Sequence, residues 1–266
     1  MSGLVSPVKG ELEHRSPQVN LAIVGGQKCG TTALADFIAQ HPDIFVVNGK
    51  EGHIFDAPDI DELSVKDIDF RYSQILQGYG SERYICDATP IYSYWQDIPP
   101  RLRNYNADFK VIFLLRDPVD RAVSQYFMEK NRGDEHLNIL SAFLSETKRL
   151  SRDQGNRVLG SSWRHHSYLD RGLYSEQISN LKKNFAPENI LIMTNSELRY
   201  QHQEALIRVF SFLGINNVNI SGKNVFEGKY NADEFIVKVA RVYALLKLRN
   251  ERKLFRQYEL NRGRTV

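Results

Sequence analysis

Two cysteines among 266 residues are too few for a disulfide framework, and no segment resembles the apolar region of a secretory leader or an apolar run long enough to span a bilayer. Charge of one sign is not in marked excess either, because 35 basic and 32 acidic residues leave a formal net charge of +3. This balance does not by itself indicate a nucleic-acid-binding protein, although it suits ligands with several negative charges. We expect a reduced, soluble, cytoplasmic protein.

Residues 1–18 carry prolines and glycines without hydrophobic periodicity, which predicts a flexible N-terminal tail. The remaining stretch, 19–266, is expected to form one domain with a substantial core, since the chain is 42% hydrophobic. Its end is basic, because residues 238–266 contain nine lysines and arginines against two glutamates. We expect a basic C-terminal helical arm, which is either a solvated helix face or a surface that collects an anionic acceptor.

Short apolar runs alternate with amphipathic helical segments along most of the chain. Strands are predicted at 19–24, 43–47, 83–88, 110–115 and 188–195, and helices at 31–41, 67–77, 117–130, 137–150, 175–185 and 202–215. This alternation predicts an α/β fold, a P-loop-type parallel sheet flanked by helices on both faces, with ligands at the carboxyl ends of the strands. The polar stretch 151–167 is predicted to be a loop or an acceptor-facing insertion.

A glycine-rich segment, VGGQKCGTTAL, joins the first predicted strand to the first helix. Gly25 and Gly30 keep the spacing of a nucleotide-binding Walker loop, but Thr31 occupies the position of its lysine and Lys28 lies inside the loop. Backbone N–H groups and the positive end of the helix dipole converge in such a turn, which makes it an anion site. The alternative is a tight turn without a ligand. Lys28 and the paired threonines, Thr31 and Thr32, favour the anion site.

The segment GGQKCGTTAL is similar to the 5′-phosphosulfate loop of sulfotransferases that use 3′-phosphoadenosine 5′-phosphosulfate (PAPS), in particular the heparan sulfate N- and 3-O-sulfotransferase branch. The resemblance implies that Lys28 contacts the phosphate and the bridging oxygen of the donor, while the two threonines hold the 5′-phosphate. It assigns the loop to donor binding, with Gly26, Gln27, Lys28, Cys29, Gly30, Thr31 and Thr32 as the contacts. The product nucleotide would be adenosine 3′,5′-bisphosphate (PAP).

A second motif appears in the order that the family has. In LLRDPVDRAVSQYF, Arg116 ends a buried strand and Ser124 follows eight residues later, the spacing with which the family binds the 3′-phosphate of the donor. The alternative for Arg116 is a surface arginine beside a helix start. Tyr174, in an Arg-Gly-x-Tyr turn, is implied to lie beneath the donor. Lys229 is the expected phosphate contact of a lid, although the chain lacks the Lys-Gly-Arg segment and the nearby disulfide of the heparan sulfate enzymes.

The segment GKEGHIFD, at 49–56, carries the candidate chemistry. It resembles a family segment whose glutamate is the general base, so Glu51 is the first candidate, and Lys50 could steer the acceptor or the sulfuryl group. His53 is the alternative base, because the ordinary pKa of histidine lies nearer to neutral pH. A solvated Lys-Glu pair and a structural histidine are the alternatives without function.

The segment CDATPIYSYW resembles a family segment that lines the acceptor cleft, and it makes Asp87, Thr89 and Tyr92 candidate acceptor contacts. Asp87 has a second interpretation, because a Walker-type NTPase holds its magnesium with an aspartate at the end of a strand. Since Thr31 replaces the essential lysine of such enzymes, this interpretation is the weaker one.

These features predict a PAPS-dependent sulfotransferase that moves a sulfuryl group by in-line displacement to a hydroxyl or amine of a saccharide or natural product. A P-loop nucleotide kinase or NTPase and a catalytically silent nucleotide-binding protein stay open as alternatives. We expect a small-molecule or oligosaccharide acceptor and no nucleic-acid partner. No metal is expected, since no cysteine or histidine spacing matches a zinc site. The oligomeric state is not predicted.

Overall fold

Five parallel strands form one sheet in the order β2-β3-β1-β4-β5 in the computed structural model, which describes residues 17–153, 156–221 and 234–261. The strands are β1 (Leu21–Gly25), β2 (Ile44–Val46), β3 (Tyr84–Asp87), β4 (Lys110–Leu115) and β5 (Ile190–Thr194). Every residue of β1 and β3 is buried. Because successive side chains of a strand point to opposite faces, both faces of the sheet are covered there. The predicted α/β fold is confirmed.

Helices follow the strands in the predicted alternation. They are α1 (Thr31–Ile38), α2 (Val65–Ser73), α3 (Ile98–Tyr105), α4 (Pro118–Arg132), α5 (Ile139–Arg152), α6 (Ser162–His165), α7 (Tyr174–Asn184), α8 (Asn195–Tyr200), α9 (His202–Leu213), α10 (Phe235–Lys247) and α11 (Arg249–Leu260). Among the described residues, no helix is long and apolar enough to cross a membrane.

Three short helices, α3, α6 and α8, were not predicted, because each has at most eight residues and too few apolar positions to show a period. Most of the predicted boundaries also differ from the observed ones by a few residues. Helix α2 begins two residues before its predicted start, since Ser64 and Asp67 form a capping box that fixes its first turn. The predicted loop at 151–167 contains α6, and the predicted tail lies, up to residue 16, outside the described residues.

The carboxyl ends of the strands meet at one edge of the sheet, with β1 between β3 and β4. From β1 the chain moves outward through α1 to β2, and it reaches the other side of β1 only with β4. A crevice forms where the order reverses in this way, and it is the usual ligand site of such sheets. The glycine-rich loop follows β1, the segment with Glu51 follows β2, and Arg116 follows β4.

The basic C-terminal segment is helical where the structure describes it, and it packs back onto the domain. Arg252 donates to Asp117 over 2.8 Å, Arg241 pairs with Asp120, and the buried Glu251 accepts from Ser175 over 2.6 Å. Some of the basic charge of α10 and α11 therefore pairs with the first turn of α4. This turn begins directly after Arg116.

Candidate functional site

The loop between β1 and α1 can be built only with glycine at two of its positions. A side chain at Gly26 would come within 2.5 Å of the Arg121 side chain, and Gly30 has a φ of 100°. The loop is closed by a hydrogen bond of 3.0 Å from the Cys29 N–H to the Gly26 carbonyl. Helix α1 then begins at Thr31, so its free N–H groups point toward the loop. A loop with free N–H groups at a helix N-terminus is the geometry with which proteins commonly bind anions.

Four cationic side chains surround this loop: Lys28, Arg116, Arg121 and Arg171. Arg116 donates to the Lys28 carbonyl over 3.0 Å, Arg121 donates to the Gln27 carbonyl over 3.4 Å, and Arg171 donates to the Gln27 side chain over 3.2 Å. Arg121 is 0% exposed and Arg171 is 3% exposed. Within residues 17–153, 156–221 and 234–261, none of the four has a carboxylate ion pair.

Burial changes the pKa of two of these groups, Lys28 and Arg171. The pKa of Lys28 is lowered by burial and then by the neighbouring Arg116. Burial lowers the pKa of Arg171 to about 10. Because a buried cation without an anion is costly, a ligand with several negative charges would relieve the loop of unpaired charge.

Tyr174 and Cys29 support the loop from inside. The Tyr174 hydroxyl donates to the Arg116 carbonyl over 2.9 Å and lies 3.6 Å from the Cys29 sulfur. Both residues are fully buried, and burial raises the pKa of the Cys29 thiol. Asn195, at the end of β5, donates to the Cys29 carbonyl over 3.1 Å. The loop is thus fixed to the ends of two strands.

The segment after β2 is linked to the loop by hydrogen bonds. The Lys50 ammonium donates to the Thr32 hydroxyl over 2.9 Å and also contacts Glu51. His53 Nε2 lies 3.1 Å from the second oxygen of Glu51, and His53 Nδ1 lies 2.9 Å from Asp56. A continuous path therefore runs from the first turn of α1 to the buried carboxylate of Asp56.

The backbone is strained at these residues. Lys28, Lys50 and His53 have φ values of 75°, 72° and 51°, and they are three of the four non-glycine residues with positive φ in the part of the chain that the structure describes. Such conformations persist only where surrounding contacts hold them, and they concentrate at functional sites.

The charges of this segment are set by its contacts. Burial opposes ionisation of Glu51, but hydrogen bonds from His53 and Lys50 outweigh it, and the pKa of Glu51 is lowered. Hydrogen bonds to Asp56 and Glu51 raise the pKa of His53 to about 9. At neutral pH Glu51 is therefore a carboxylate and His53 an imidazolium.

Comparison with known proteins decides the family. The model of the sulfotransferase domain matches residues 19–229. This chain belongs to the sulfotransferase domain family. Over 208 residues it is 29% identical to heparan sulfate glucosamine 3-O-sulfotransferase 3A1 of Mus musculus, a match that covers 78% of this chain and 49% of that protein. With its Homo sapiens counterpart it shares 28% over 219 residues, covering 82% of this chain and 50% of the other. The chain thus spans about half the length of these curated relatives.

A solved structure shows the same fold. The crystal structure of a sulfotransferase from Alicyclobacillus acidocaldarius superposes with a TM-score of 0.70 at 23% identity. The match covers 90% of this chain and 96% of that one. The two phosphate motifs predicted that the chain is a member of the sulfotransferase family, and the family match confirms this.

The predicted second phosphate motif lies beside the first. Arg116 directly precedes α4, and its guanidinium contacts the loop at Lys28. Ser124 is buried on α4, 8% exposed. Asp117 caps this helix by accepting from two backbone N–H groups, and Pro118 occupies its first turn as predicted. The predicted lid contact, Lys229, lies outside the described residues.

The three candidate acceptor contacts lie underneath the Glu51 segment rather than on an open wall. Asp87, Thr89 and Tyr92 are each 0% exposed. Asp87 accepts from the Thr89 hydroxyl over 2.6 Å, from the Tyr92 hydroxyl over 2.9 Å, from Tyr72 over 2.8 Å and from the Gly52 N–H over 3.0 Å. Asp87 therefore anchors the backbone between Glu51 and His53.

Sequence reasoning missed four residues that shape the site: Asp56, Arg121, Arg164 and Arg171. Arg121 gives a weak signal, because it stands among the apolar residues Val119, Ala122 and Val123 of α4. Asp56 was within the quoted segment, but nothing in the sequence shows that it contacts His53. The other two arginines act across long separations in the chain.

One group of side chains in the described part of the chain could hold a cation. The ligand atoms of Glu129, Asp134 and His165 lie within 4.8 Å of one another. His165 Nδ1 is 3.0 Å from Glu129, and its Nε2 is 2.7 Å from the Leu159 carbonyl. Since both ring nitrogens already face oxygen atoms, the group is explained as a hydrogen-bonded histidine. The expected lack of a metal stays a prediction.

Replacing Asp87 tests its anchoring role. Asp87→Ala should lower the free energy of unfolding by at least about 2 kcal/mol, because several buried donors lose their acceptor. Urea denaturation followed by circular dichroism measures this. Asp108→Ala, at an exposed position, is the control and should change it by less than about 0.5 kcal/mol. Equal stability of the two variants would contradict the anchoring role.

The raised pKa of His53 predicts a pH dependence of stability. Its ordinary pKa is 6.5 and its folded value about 9, so its contribution is complete below pH 6.5 and is lost as the pH rises to 9. Between these values the free energy of unfolding should fall more steeply in the wild type than in His53→Asn. Urea titrations at several pH values measure both slopes, and parallel curves would refute the assignment.

Proposed function

We propose that this chain transfers the sulfuryl group of PAPS to a hydroxyl or amine of a saccharide or natural-product acceptor. The observation that carries the proposal is the group of four cations around the glycine loop, none of which has a carboxylate partner among the described residues. The donor carries a phosphosulfate and a separate phosphate, and these anions would supply the missing negative charge. Family membership supports the same donor.

The donor would lie across the crevice beside β1. Its 5′-phosphosulfate would occupy the loop, with the free backbone N–H groups of the first turn of α1 and the Lys28 ammonium around it. Its 3′-phosphate would lie at Arg116 and Ser124, at the start of α4. Tyr174 and Cys29 would support this site from beneath, since both are fully buried. Lys229 remains the proposed lid contact.

The reaction would be an in-line displacement. The acceptor oxygen or nitrogen attacks sulfur, the bond between sulfur and the bridging oxygen breaks, and PAP leaves with the electron pair. Lys28 would stabilise the charge that grows on the bridging oxygen, while a base accepts the acceptor proton. Such transfers have loose transition states, so placement and charge stabilisation supply most of the rate.

Glu51 is the better candidate for the base. His53 is held as an imidazolium between two carboxylates, with its pKa raised to about 9, and it cannot accept a proton at neutral pH. Glu51 has a lowered pKa and is ionised. Lys50, which contacts both Thr32 and Glu51, would keep the base close to the donor loop.

The acceptor is proposed to be a hydroxyl of a glucosamine-containing saccharide. The curated relatives are named as 3-O-sulfotransferases of heparan sulfate glucosamine, and the similarity covers about four fifths of this chain. The lysines and arginines near the loop would also favour an anionic oligosaccharide.

A kinase or NTPase is less well supported. Asp87, which would have to hold magnesium, already accepts four hydrogen bonds through its two oxygens. Thr31 also occupies the position of the Walker lysine. A silent nucleotide-binding protein is distinguished from an enzyme only by turnover.

Nucleotide binding is tested by thermal shift. PAP without magnesium should raise the melting temperature, because a ligand at 100 times its Kd stabilises the folded state by about 2.7 kcal/mol. Magnesium-ATP should have a smaller effect. Arg116→Gln should lose most of the PAP shift, whereas Lys66→Gln, an exposed change on α2, should retain it. A stronger response to magnesium-ATP would favour the kinase.

The base is tested by turnover with labelled PAPS and an N-sulfated heparan sulfate oligosaccharide. Glu51→Gln should lower kcat by about 10²–10⁴-fold, the usual contribution of general base catalysis, while PAP binding is retained. Lys66→Gln is again the control. Turnover that survives in Glu51→Gln but is lost in His53→Asn would identify His53 as the base.

A further inference from the structure

The proposed base is connected to the donor loop in two directions, and the two paths close into a ring. On one side, Lys50 joins Glu51 to Thr32. On the other side, His53 and Asp56 lead away from Glu51 to an arginine of the 156–171 segment, Arg164. This segment returns to the loop at Gln27 through Arg171. The two paths therefore meet in the donor loop and α1, one at Thr32 and the other at Gln27.

Arg164 uses its whole guanidinium group in this ring. Its Nη1 donates to the Asp56 carboxylate over 2.6 Å, its Nη2 donates to the Asp56 carbonyl over 2.7 Å, and its Nε donates to the Arg157 carbonyl over 3.0 Å. Arg164 thus holds Asp56 by side chain and backbone together. A planar fork of N–H groups makes this grip directional.

The position of Asp56 depends on these bonds from Arg164. It is 0% exposed, and one of its oxygens has no hydrogen-bond partner, so its other oxygen carries the bonds to both His53 and Arg164. The orientation of the His53 ring follows from this oxygen, because Nδ1 faces Asp56 while Nε2 faces Glu51. A shift of Asp56 would therefore be passed on to the base.

Arg164 is itself fixed from two sides. Its guanidinium carbon lies 4.8 Å from the centre of the Trp95 ring, and Arg157 packs on the same indole at 4.7 Å. The carbonyl of Arg164 accepts from Arg171 over 2.8 Å, and Arg171 reaches the Gln27 side chain over 3.2 Å. The 156–171 segment is thus bonded both to the donor loop, through Arg171, and to the segment that carries the proposed base, through Arg164.

We propose that Arg164 is a positioning residue for sulfuryl transfer, which orients Asp56, and through it His53 and Glu51, relative to the donor loop. This inference rests on the proposed role of Glu51. Arg164 contacts neither the loop nor Glu51 directly, so its loss should affect the chemical step and spare nucleotide binding. Outer-shell residues of this kind commonly contribute about 10–100-fold to activity.

The test compares Arg164→Gln, Arg164→Lys and the control Arg101→Gln, whose arginine pairs, among the described residues, with Asp61 and Asp97. With labelled PAPS and the heparan sulfate oligosaccharide, Arg164→Gln should lower kcat by about 10–100-fold. Its KM for PAPS and its PAP affinity should not change. Arg164→Lys keeps the charge without the fork and should recover only part of kcat. Arg101→Gln should match the wild type.

The pH profile distinguishes positioning from a general loss of structure. Two charged groups contact this pair directly: Glu51 contacts His53, and Arg164 contacts Asp56. Two others lie next to them: Arg157 donates to the Phe55 carbonyl, and Lys50 contacts Glu51. Since Arg164 helps to lower the pKa of Asp56, Arg164→Gln should move the acidic limb of kcat to higher pH. Arg164→Lys should leave it in place. Partial unfolding would lower kcat at every pH without moving the limb.

A second measurement does not depend on turnover. The His53 Nδ1 proton should give a slowly exchanging NMR resonance in the full-length wild type and in Arg101→Gln, and it should be lost in Arg164→Gln. An unchanged resonance and an unchanged kcat in Arg164→Gln would overturn the inference. If Glu51→Gln keeps its turnover, the proposed base is wrong, whereas the resonance still decides whether Arg164 holds Asp56 and His53.

Discussion

Positive charge that is held at the end of β1, with no carboxylate ion pair in the part of the chain that the structure describes, is the constraint on which the rest of the structure depends. Two of its carriers, Arg121 and Arg171, are almost completely buried, and burial of an ion costs several kcal/mol unless other groups compensate. Backbone carbonyls provide the compensation here: Gln27 and Tyr168 accept from Arg121, and Trp163 and Arg164 accept from Arg171. Carbonyl dipoles stabilise a cation without neutralising its charge. The positive charge of Arg121 and Arg171 can therefore still attract an anionic ligand.

The same arginines explain why the site is rigid before any ligand arrives. A guanidinium that bonds several carbonyls fixes the segments to which those carbonyls belong, and Arg171 in this way joins the donor loop to the 156–171 segment. This segment, through Arg164, also fixes Asp56. Donor site and base are therefore not independent parts, and strain at Lys28, Lys50 and His53 can be tolerated because contacts from several elements hold them.

Sequence patterns predicted the strands, the longer helices and the two motif turns, which depend on neighbours along the chain. The strand-loop-helix around Lys28 and the turn from Arg116 into α4 were recognised because glycine, proline and apolar spacing determine them locally. The bond between Arg164 and Asp56 spans 108 residues, and that between Arg171 and Gln27 spans 144. No local pattern specifies such pairs. Asp87 was found for its place at a strand end, but its burial beneath Tyr92 of its own segment and Tyr72 of α2 was not visible.

The contacts of Glu51 indicate how the proposed base could be released for reaction. Both of its oxygens face cations, Lys50 on one side and His53 on the other, so an acceptor must displace one of them to reach the carboxylate. His53 is held at its other nitrogen by Asp56, which is in turn held by Arg164. The Lys50 ammonium is carried by a flexible side chain and already has a second partner in the Thr32 hydroxyl, in the first turn of α1. We therefore expect Lys50 to give way toward the donor, which would free one oxygen of Glu51 and add a cation beside the transferring group.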